Sequence, residues 1–137
     1  MATQNTKVRR AYRQGELVFL PLNAEDIATL EPGAKNQCYS RWKKLRTTVL
    51  REGEATGHKH EVVTQARGTA TLLEPAQGFM PRLPDMGPIG VEDRLLVAEQ
   101  PVVVVHPEHR SLRLPKGDFL VVVQREYDEL KARRIMD

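Results

Sequence analysis

The chain has 137 residues, of which 40% are hydrophobic and 28% charged, with a net charge of +3 at pH 7 and a single cysteine. This length suits one domain with its own core, so the sequence predicts a single domain over residues 1–137. No apolar stretch approaches the roughly 20 residues of a membrane span, which excludes a transmembrane helix. Cys38 has no partner for an intrachain disulfide, and the N-terminus lacks the apolar segment of a signal peptide, so a cytoplasmic protein is expected.

Positive charge is concentrated in the first third of the chain. Residues 1–51 carry a net charge of +6, and residues 52–137 carry a net charge of −3. A basic surface of this kind is typical of proteins that bind nucleic acids or other polyanions, although it is more often a solvated face. Nucleic acid is therefore retained as an alternative partner.

The predicted elements are mostly strands. Residues 1–13 are polar and predict a flexible lead-in, and residues 15–22 predict a buried strand that is stopped by Pro21. The segment 24–30 predicts a short helix, which ends at the turn signal of residues 31–33. Apolar and β-branched residues predict further strands at 45–50, 58–64, 68–75, 93–99, 101–106, 111–115 and 118–127.

Two segments depart from this pattern. Residues 75–90 hold four prolines and three glycines, which predicts a long loop because such residues do not fit a helix or a central strand. A loop of this length is often a lid over a site, and a tolerated surface insertion explains it equally well. Residues 127–137 predict a C-terminal helix with Asp128 as its N-cap. The whole pattern predicts an all-β fold, either a small barrel or a β-sandwich, with a short C-terminal helix.

All four histidines of the chain fall into two close pairs. His58 and His60 form an H-x-H in a predicted strand, where residues i and i+2 point to the same face. His106 and His109 form an H-x-x-H after another strand, and a turn at Pro107 would fold His109 back beside His106. Imidazole is the commonest metal ligand, and four imidazoles suit zinc, iron, nickel or copper better than calcium or magnesium. The sequence therefore predicts one metal site formed by these four histidines.

Other roles stay open around this site. Histidines near strand ends are often surface residues, an alternative that applies most to His109. A site of three histidines and a water, with His109 outside the ligand set, would leave a position open for chemistry. Glu61 and Glu108 flank the pairs, and each is a candidate ligand, orienting partner or general base. Strand alternation turns Glu61 away from His60, which favours a solvated role for Glu61.

Several motifs resemble those of a family of small uncharacterised bacterial and phage proteins. The shared pieces are RQGELVFLPL, LREGEATGHKHEV and HPEHRSLRLPKGDFLVVVQREYD, which contain its Gly-His-x-His, His-x-x-His, Leu-Pro-x-Gly and Gln-Arg-Glu-Tyr motifs. The resemblance extends from about Arg13 to the end of the chain and implies one unit without an established activity. Glu16 stands where that family usually has an Asp, and the segment 75–90 is longer than the resemblance implies.

A looser similarity is to the cupins, the double-stranded β-helix metalloproteins. Gly53 followed by His58-Lys59-His60 is similar to the first cupin motif, and Pro115-Lys116-Gly117 is similar to the Pro-x-Gly of the second. The glutamate expected near Thr64 is absent, and both later histidines precede the Pro-x-Gly instead of following it. The similarity implies a cupin-like barrel, but not the cupin ligand set of three histidines and one glutamate.

These observations predict a small metal-binding β-barrel protein of unknown activity, with one divalent transition metal as its cofactor. Zinc, iron, nickel and manganese are the candidate metals, and a small-molecule substrate is expected if the protein is an enzyme. Whether it catalyses a reaction is left open, and no catalytic residue is assigned. The alternative is a non-enzymatic module that binds nucleic acid or a protein through its basic N-terminal face, or forms a homo-oligomer through its valine-rich strands.

Overall fold

The computed structural model describes residues 10–31, 39–52 and 58–124, and most of these residues lie in antiparallel strands. One helix, α1, spans Ala24–Leu30. The strands of the described residues are β1 Tyr12–Gln14, β2 Leu17–Pro21, β3 Trp42–Leu45, β4 Val49–Glu52, β5 Lys59–Val63, β6 Ala70–Pro75, β7 Arg82–Leu83, β8 Gly87–Pro88, β9 Arg94–Ala98, β10 Val102–Val105, β11 Leu112–Leu114 and β12 Gly117–Val123.

Two sheets pack face to face as a sandwich. The larger sheet has the order β1-β2-β12-β9-β6-β3, and the smaller has the order β11-β10-β5-β4, while β7 and β8 form a separate hairpin. Side chains of both sheets meet in one core cluster, for example Phe19 and Phe119 of the larger sheet with Val62 and Val104 of the smaller. Of the two all-β architectures that the sequence predicts, the structure has the sandwich and not the closed barrel.

The larger sheet is covered on both faces. A second core cluster lies on the face that is turned away from the smaller sheet, and it contains Leu20, Leu30, Trp42 and Leu120. Because both faces are buried, β2 and β12 have continuous apolar runs and not the alternation of a half-exposed strand. The runs LVFL and FLVVV in the sequence follow from this arrangement.

Helix α1 has the boundaries that the sequence predicts. Asn23 caps it: the Asn23 side chain accepts from the backbone N–H of Asp26 at 2.8 Å, and the Asp26 carboxylate accepts from the backbone N–H of Asn23 at 2.9 Å. This reciprocal capping box satisfies two N–H groups at the start of the helix. Ile27 and Leu30 are buried, so the helix is anchored to the sheet by its apolar side.

Three segments differ from the sequence-based expectation. Strand β1 includes the last two residues of the predicted lead-in 1–13, and β3 extends the strand region towards Trp42. In place of a long loop over the predicted metal site, residues 75–90 contain the β7–β8 hairpin, and Leu83 and Met86 are buried in the second core cluster. The predicted C-terminal helix at 127–137 and residues 1–9 of the basic N-terminal third lie outside the described residues.

No helix in the part of the chain that is described is long and apolar enough to cross a membrane.

Two neighbouring valines of β5 provide a test of the sandwich. Val62 is 3% exposed and faces the core between the sheets, whereas Val63 is 47% exposed on the outer face. We expect Val62→Ala to lower the free energy of unfolding by about 2 kcal/mol, because the Val62 side chain is fully buried. Val63→Ala is the matched control and should change this free energy by less than about 0.5 kcal/mol. Urea denaturation measures both values, and equal effects of the two substitutions would contradict this packing.

Candidate functional site

The two histidine pairs meet at one end of the smaller sheet. Strand β5 begins where its antiparallel neighbour β10 ends, with Val105 opposite Glu61, so the residues around the start of β5 lie beside those that follow β10. The ring centroids of His60 and His106 are 4.4 Å apart, and those of His106 and His109 are also 4.4 Å apart. The His60–His109 and His58–His106 centroid distances are 5.9 and 6.1 Å. The structure therefore brings together the four residues that the sequence singles out, which we call the histidine cluster.

His60 is the buried member of the histidine cluster, with 1% of its surface exposed. Its Nδ1 lies 2.8 Å from the side-chain oxygen of Gln14, which is also buried. The Gln14 amide nitrogen donates to the backbone carbonyls of Val104 at 2.9 Å and Arg110 at 3.0 Å. Because carbonyl oxygens only accept, these two bonds fix the orientation of the amide, and its oxygen must accept from Nδ1. His60 therefore carries a proton on Nδ1.

Glu16 lies on the other side of the same ring. Its Oε1 is 2.9 Å from His60 Nε2, and its Oε2 is 3.4 Å from Nε of Arg51. Burial alone would raise the pKa of the Glu16 carboxyl, but its own backbone N–H, the hydrogen bond to His60 and the charges of His60 and Arg51 together lower that pKa below its usual value. The carboxylate is therefore held in its charged form.

The other three rings lie closer to solvent. His58 Nδ1 is 2.9 Å from a carboxylate oxygen of Glu108, and 38% of the His58 side chain is exposed. The backbone N–H of Glu108 donates to Nδ1 of His106 at 3.0 Å. The pKa of His106 is lowered, first by burial and then by the charges of His60 and His109, which outweigh the opposite effect of Glu16 and Glu108. His106 is therefore biased towards the neutral form.

The two flanking glutamates have different surroundings. Glu108 contacts His58, as described, whereas Glu61 accepts from the hydroxyl of Thr48 at 2.9 Å. In β5, His60 and Val62 face the core, and the residues between and beside them, including Glu61, are more exposed. The structure thus places Glu108 at the histidine cluster and turns Glu61 away from it.

Glu16 and Gln14 are site residues that the sequence does not identify. Both lie at the turn between β1 and β2, and they are 44 and 46 positions away from His60 in the chain. Nothing in the residues next to Glu16 in the sequence points to a partner. Their role becomes visible only when the turn is seen beside the start of β5.

The ring nitrogens of the histidine cluster do not converge on one point. In the described segments of the chain, no group of three or more His, Cys, Asp or Glu side chains is arranged to hold a metal ion. The rings of His60 and His109 are nearly parallel, with an interplanar angle of 10°. Both nitrogens of His60 take part in the contacts described above, as does Nδ1 of His58 and of His106. Metal binding by these side chains stays a prediction.

A glycine makes room for the outer ring of the histidine cluster. Gly15 has φ of +59°, and a Cβ placed there would lie 2.7 Å from Nε2 of His109. Gly68 has a similar φ of +81° but no atom within 4 Å of such a Cβ. Both positions have a positive φ that favours glycine, but only Gly15 has the ring of His109 next to it.

Gly15→Ala and Gly68→Ala therefore form a matched pair. We expect Gly68→Ala to lower the free energy of unfolding by about 1–2 kcal/mol, because an L side chain is disfavoured at positive φ. Gly15→Ala should be more destabilising and should also shift the NMR signal of the His109 ε1 proton, since the ring must move. Urea denaturation and histidine NMR measure the two effects. An unchanged His109 signal with equal destabilisation in both variants would contradict the contact.

Comparison with known proteins places this site inside a defined family. No curated protein and no solved structure matches the chain. The family model of a domain of unknown function, DUF8820, matches residues 13–124, a segment that contains the histidine cluster, Gln14 and Glu16. Since this match covers well over half of the chain, the protein belongs to the DUF8820 family.

Proposed function

We propose that the protein binds one divalent transition-metal ion in the histidine cluster. The observation that carries this proposal is the gathering of every histidine of the chain, from two segments about 50 positions apart, with ring centroids 4.4–6.1 Å from their neighbours. Imidazole nitrogen is the ligand that zinc, iron and nickel share.

The spacing of the rings suits a shared ion. A metal–nitrogen bond of about 2.0–2.1 Å places an imidazole centroid roughly 3.2 Å from the metal, so two rings on one ion have centroids about 4.5–5.5 Å apart. The observed centroid distances lie just outside this range on both sides: two ring pairs are 4.4 Å apart, and two others are 5.9 and 6.1 Å apart. A shared ion requires the rings of His58, His106 and His109 to turn so that their nitrogens face Nε2 of His60, whose ring is oriented by Gln14.

Contacts around the rings also support the proposal. Metal-binding histidines commonly donate their second nitrogen to a carboxylate or carbonyl oxygen, which orients the ring. His60 donates Nδ1–H to Gln14, and His58 has its Nδ1 against the carboxylate of Glu108. In His58 this contact leaves Nε2 as the nitrogen for a metal, whereas Nε2 of His60 faces the carboxylate of Glu16.

Access to the histidine cluster is open on one side. His60 is buried, but His58 is partly exposed and His109 is exposed, so an ion can enter without opening the core. If only three of the histidines bound the ion, a water molecule or a small-molecule ligand could take the remaining position. A bound ion would then act as a Lewis acid or lower the pKa of that water.

Metal content of the purified protein tests the proposal directly. We expect about one zinc, iron, nickel or manganese ion per chain by elemental mass spectrometry of protein without a His-tag. His58→Ala and His106→Ala should each lose most of this metal, because each removes a ligand from a different pair. Lys59→Ala is the matched control: Lys59 lies between His58 and His60 on β5, but it is exposed. This variant should keep the full metal content.

Two results would refute the proposal. One is a parent protein that takes up none of the four metals after incubation with each of them. The other is a pair of histidine variants that both bind metal as tightly as the Lys59→Ala control. Circular dichroism of each variant separates loss of metal from loss of fold.

Removal of the metal should destabilise the folded protein. An ion present at 100 times its Kd stabilises the folded state by about 2.7 kcal/mol if the unfolded chain does not bind it. We therefore expect EDTA to lower the Tm of the metal-loaded parent in differential scanning calorimetry. The Tm of His58→Ala should not respond to EDTA, and an equal response of both proteins would contradict a site at His58.

A further inference from the structure

We infer that Glu16 is the carboxylate ligand of this metal ion, so that the site combines imidazole nitrogens with one carboxylate oxygen. This inference rests on the proposed function and adds to it a residue that lies on neither histidine segment. The observations behind it are the fixed orientation of His60, the distance from His60 to Glu16 and the contact that holds Glu16 in place.

The first step concerns the nitrogen that faces Glu16. The Gln14 amide is oriented by the backbone carbonyls of Val104 and Arg110, and its oxygen accepts the proton of His60 Nδ1. With Nδ1 bonded to Gln14, Nε2 is the nitrogen that faces the carboxylate of Glu16, 2.9 Å away. Because a carboxylate only accepts, Nε2 donates a proton to Glu16 in this contact, and the loss of that proton would leave Nε2 with an electron pair for a metal ion.

The second step concerns what lies between these two groups. An electron pair and a carboxylate repel each other unless a proton or a cation is shared between them. Metal–nitrogen and metal–oxygen bonds of about 2.0–2.2 Å, at angles of 90–110°, place two neighbouring ligand atoms about 2.9–3.4 Å apart. The separation of 2.9 Å between Nε2 and Oε1 falls at the short end of this range. A metal ion in place of the proton would keep these two atoms at nearly the same separation, with the ring and the carboxylate turned so that both face the ion.

The third step concerns how Glu16 is held. Its second oxygen lies 3.4 Å from Nε of Arg51, and Arg51 also contacts Glu92 at 3.2 Å. The charge of Arg51 beside the outer oxygen favours the charged form of the carboxylate, which is the form that binds a metal. The side chain of Glu16 is 38% exposed, whereas that of His60 is 1% exposed. The carboxylate of Glu16 therefore lies between the buried ring of His60 and solvent.

A carboxylate ligand also narrows the choice of metal. Imidazole alone suits zinc, copper, iron and nickel, while carboxylate oxygen suits manganese and magnesium. A mixed set of imidazoles and one carboxylate favours zinc, iron or manganese over copper. The carboxylate also reduces the net charge of a bound divalent ion by one.

Glu16→Gln and Glu92→Gln form the test pair, because each removes one of the two carboxylates that contact Arg51. We expect Glu16→Gln to weaken zinc binding by at least roughly 10–100-fold in a competition titration with a chelating dye. It should also change the visible absorption spectrum of the cobalt-loaded protein, since one ligand atom is replaced. Glu92→Gln should retain the parent spectrum and an affinity within about threefold.

The readouts separate a ligand from a structural residue. If Glu16 served only to support Arg51 and His60, Glu16→Gln would lower the urea stability of the metal-free protein and leave the cobalt spectrum unchanged, which overturns the inference. If the histidine variants lose metal while Glu16→Gln keeps parent affinity and spectrum, Glu16 is not a ligand and the histidine site stands. If no protein of the series binds metal, the inference and the proposed function both fail.

Discussion

A buried amide holds the candidate site together. Gln14 of β1 bonds to Val104 of β10, to Arg110 after β10 and to His60 of β5, so three segments depend on one side chain. A buried polar group that loses its partner costs about 1–3 kcal/mol, and here each group is the partner of another. Both histidine pairs thus rest on the same support, and Glu16, two positions later, is positioned by the same turn.

The β1–β2 turn, which carries Gln14 and Glu16, is anchored to the sandwich. Strand β1 is joined through β2 to β12, and β2 and β12 lie between two core clusters that cover the larger sheet on both faces. The smaller sheet carries the histidines and packs against the larger sheet through one of those clusters. The site is therefore formed where an edge of the larger sheet meets an end of the smaller one, with dense packing behind it and solvent in front of it.

Local sequence patterns predict the elements of the fold and the spacing of the histidines, but not the contacts between distant strands. Helix α1 has a capping residue and a turn signal at its ends, and the same-face spacing of His58 and His60 is a local property of strands, so both can be predicted. The contact of Glu16 with His60 depends on which strands become neighbours, and no residue near Glu16 encodes that choice. A barrel and a sandwich share the same strand pattern, so the sequence alone did not separate them.

The bonds of Gln14 span 46, 90 and 96 positions of the chain. Closing loops of this length costs chain entropy before the contacts offset it, which slows the folding of proteins rich in such contacts. The histidine cluster therefore cannot assemble on a chain that is still emerging from the ribosome before residues 104–110 have been made. The four histidines therefore come together in one step, when both sheets have docked.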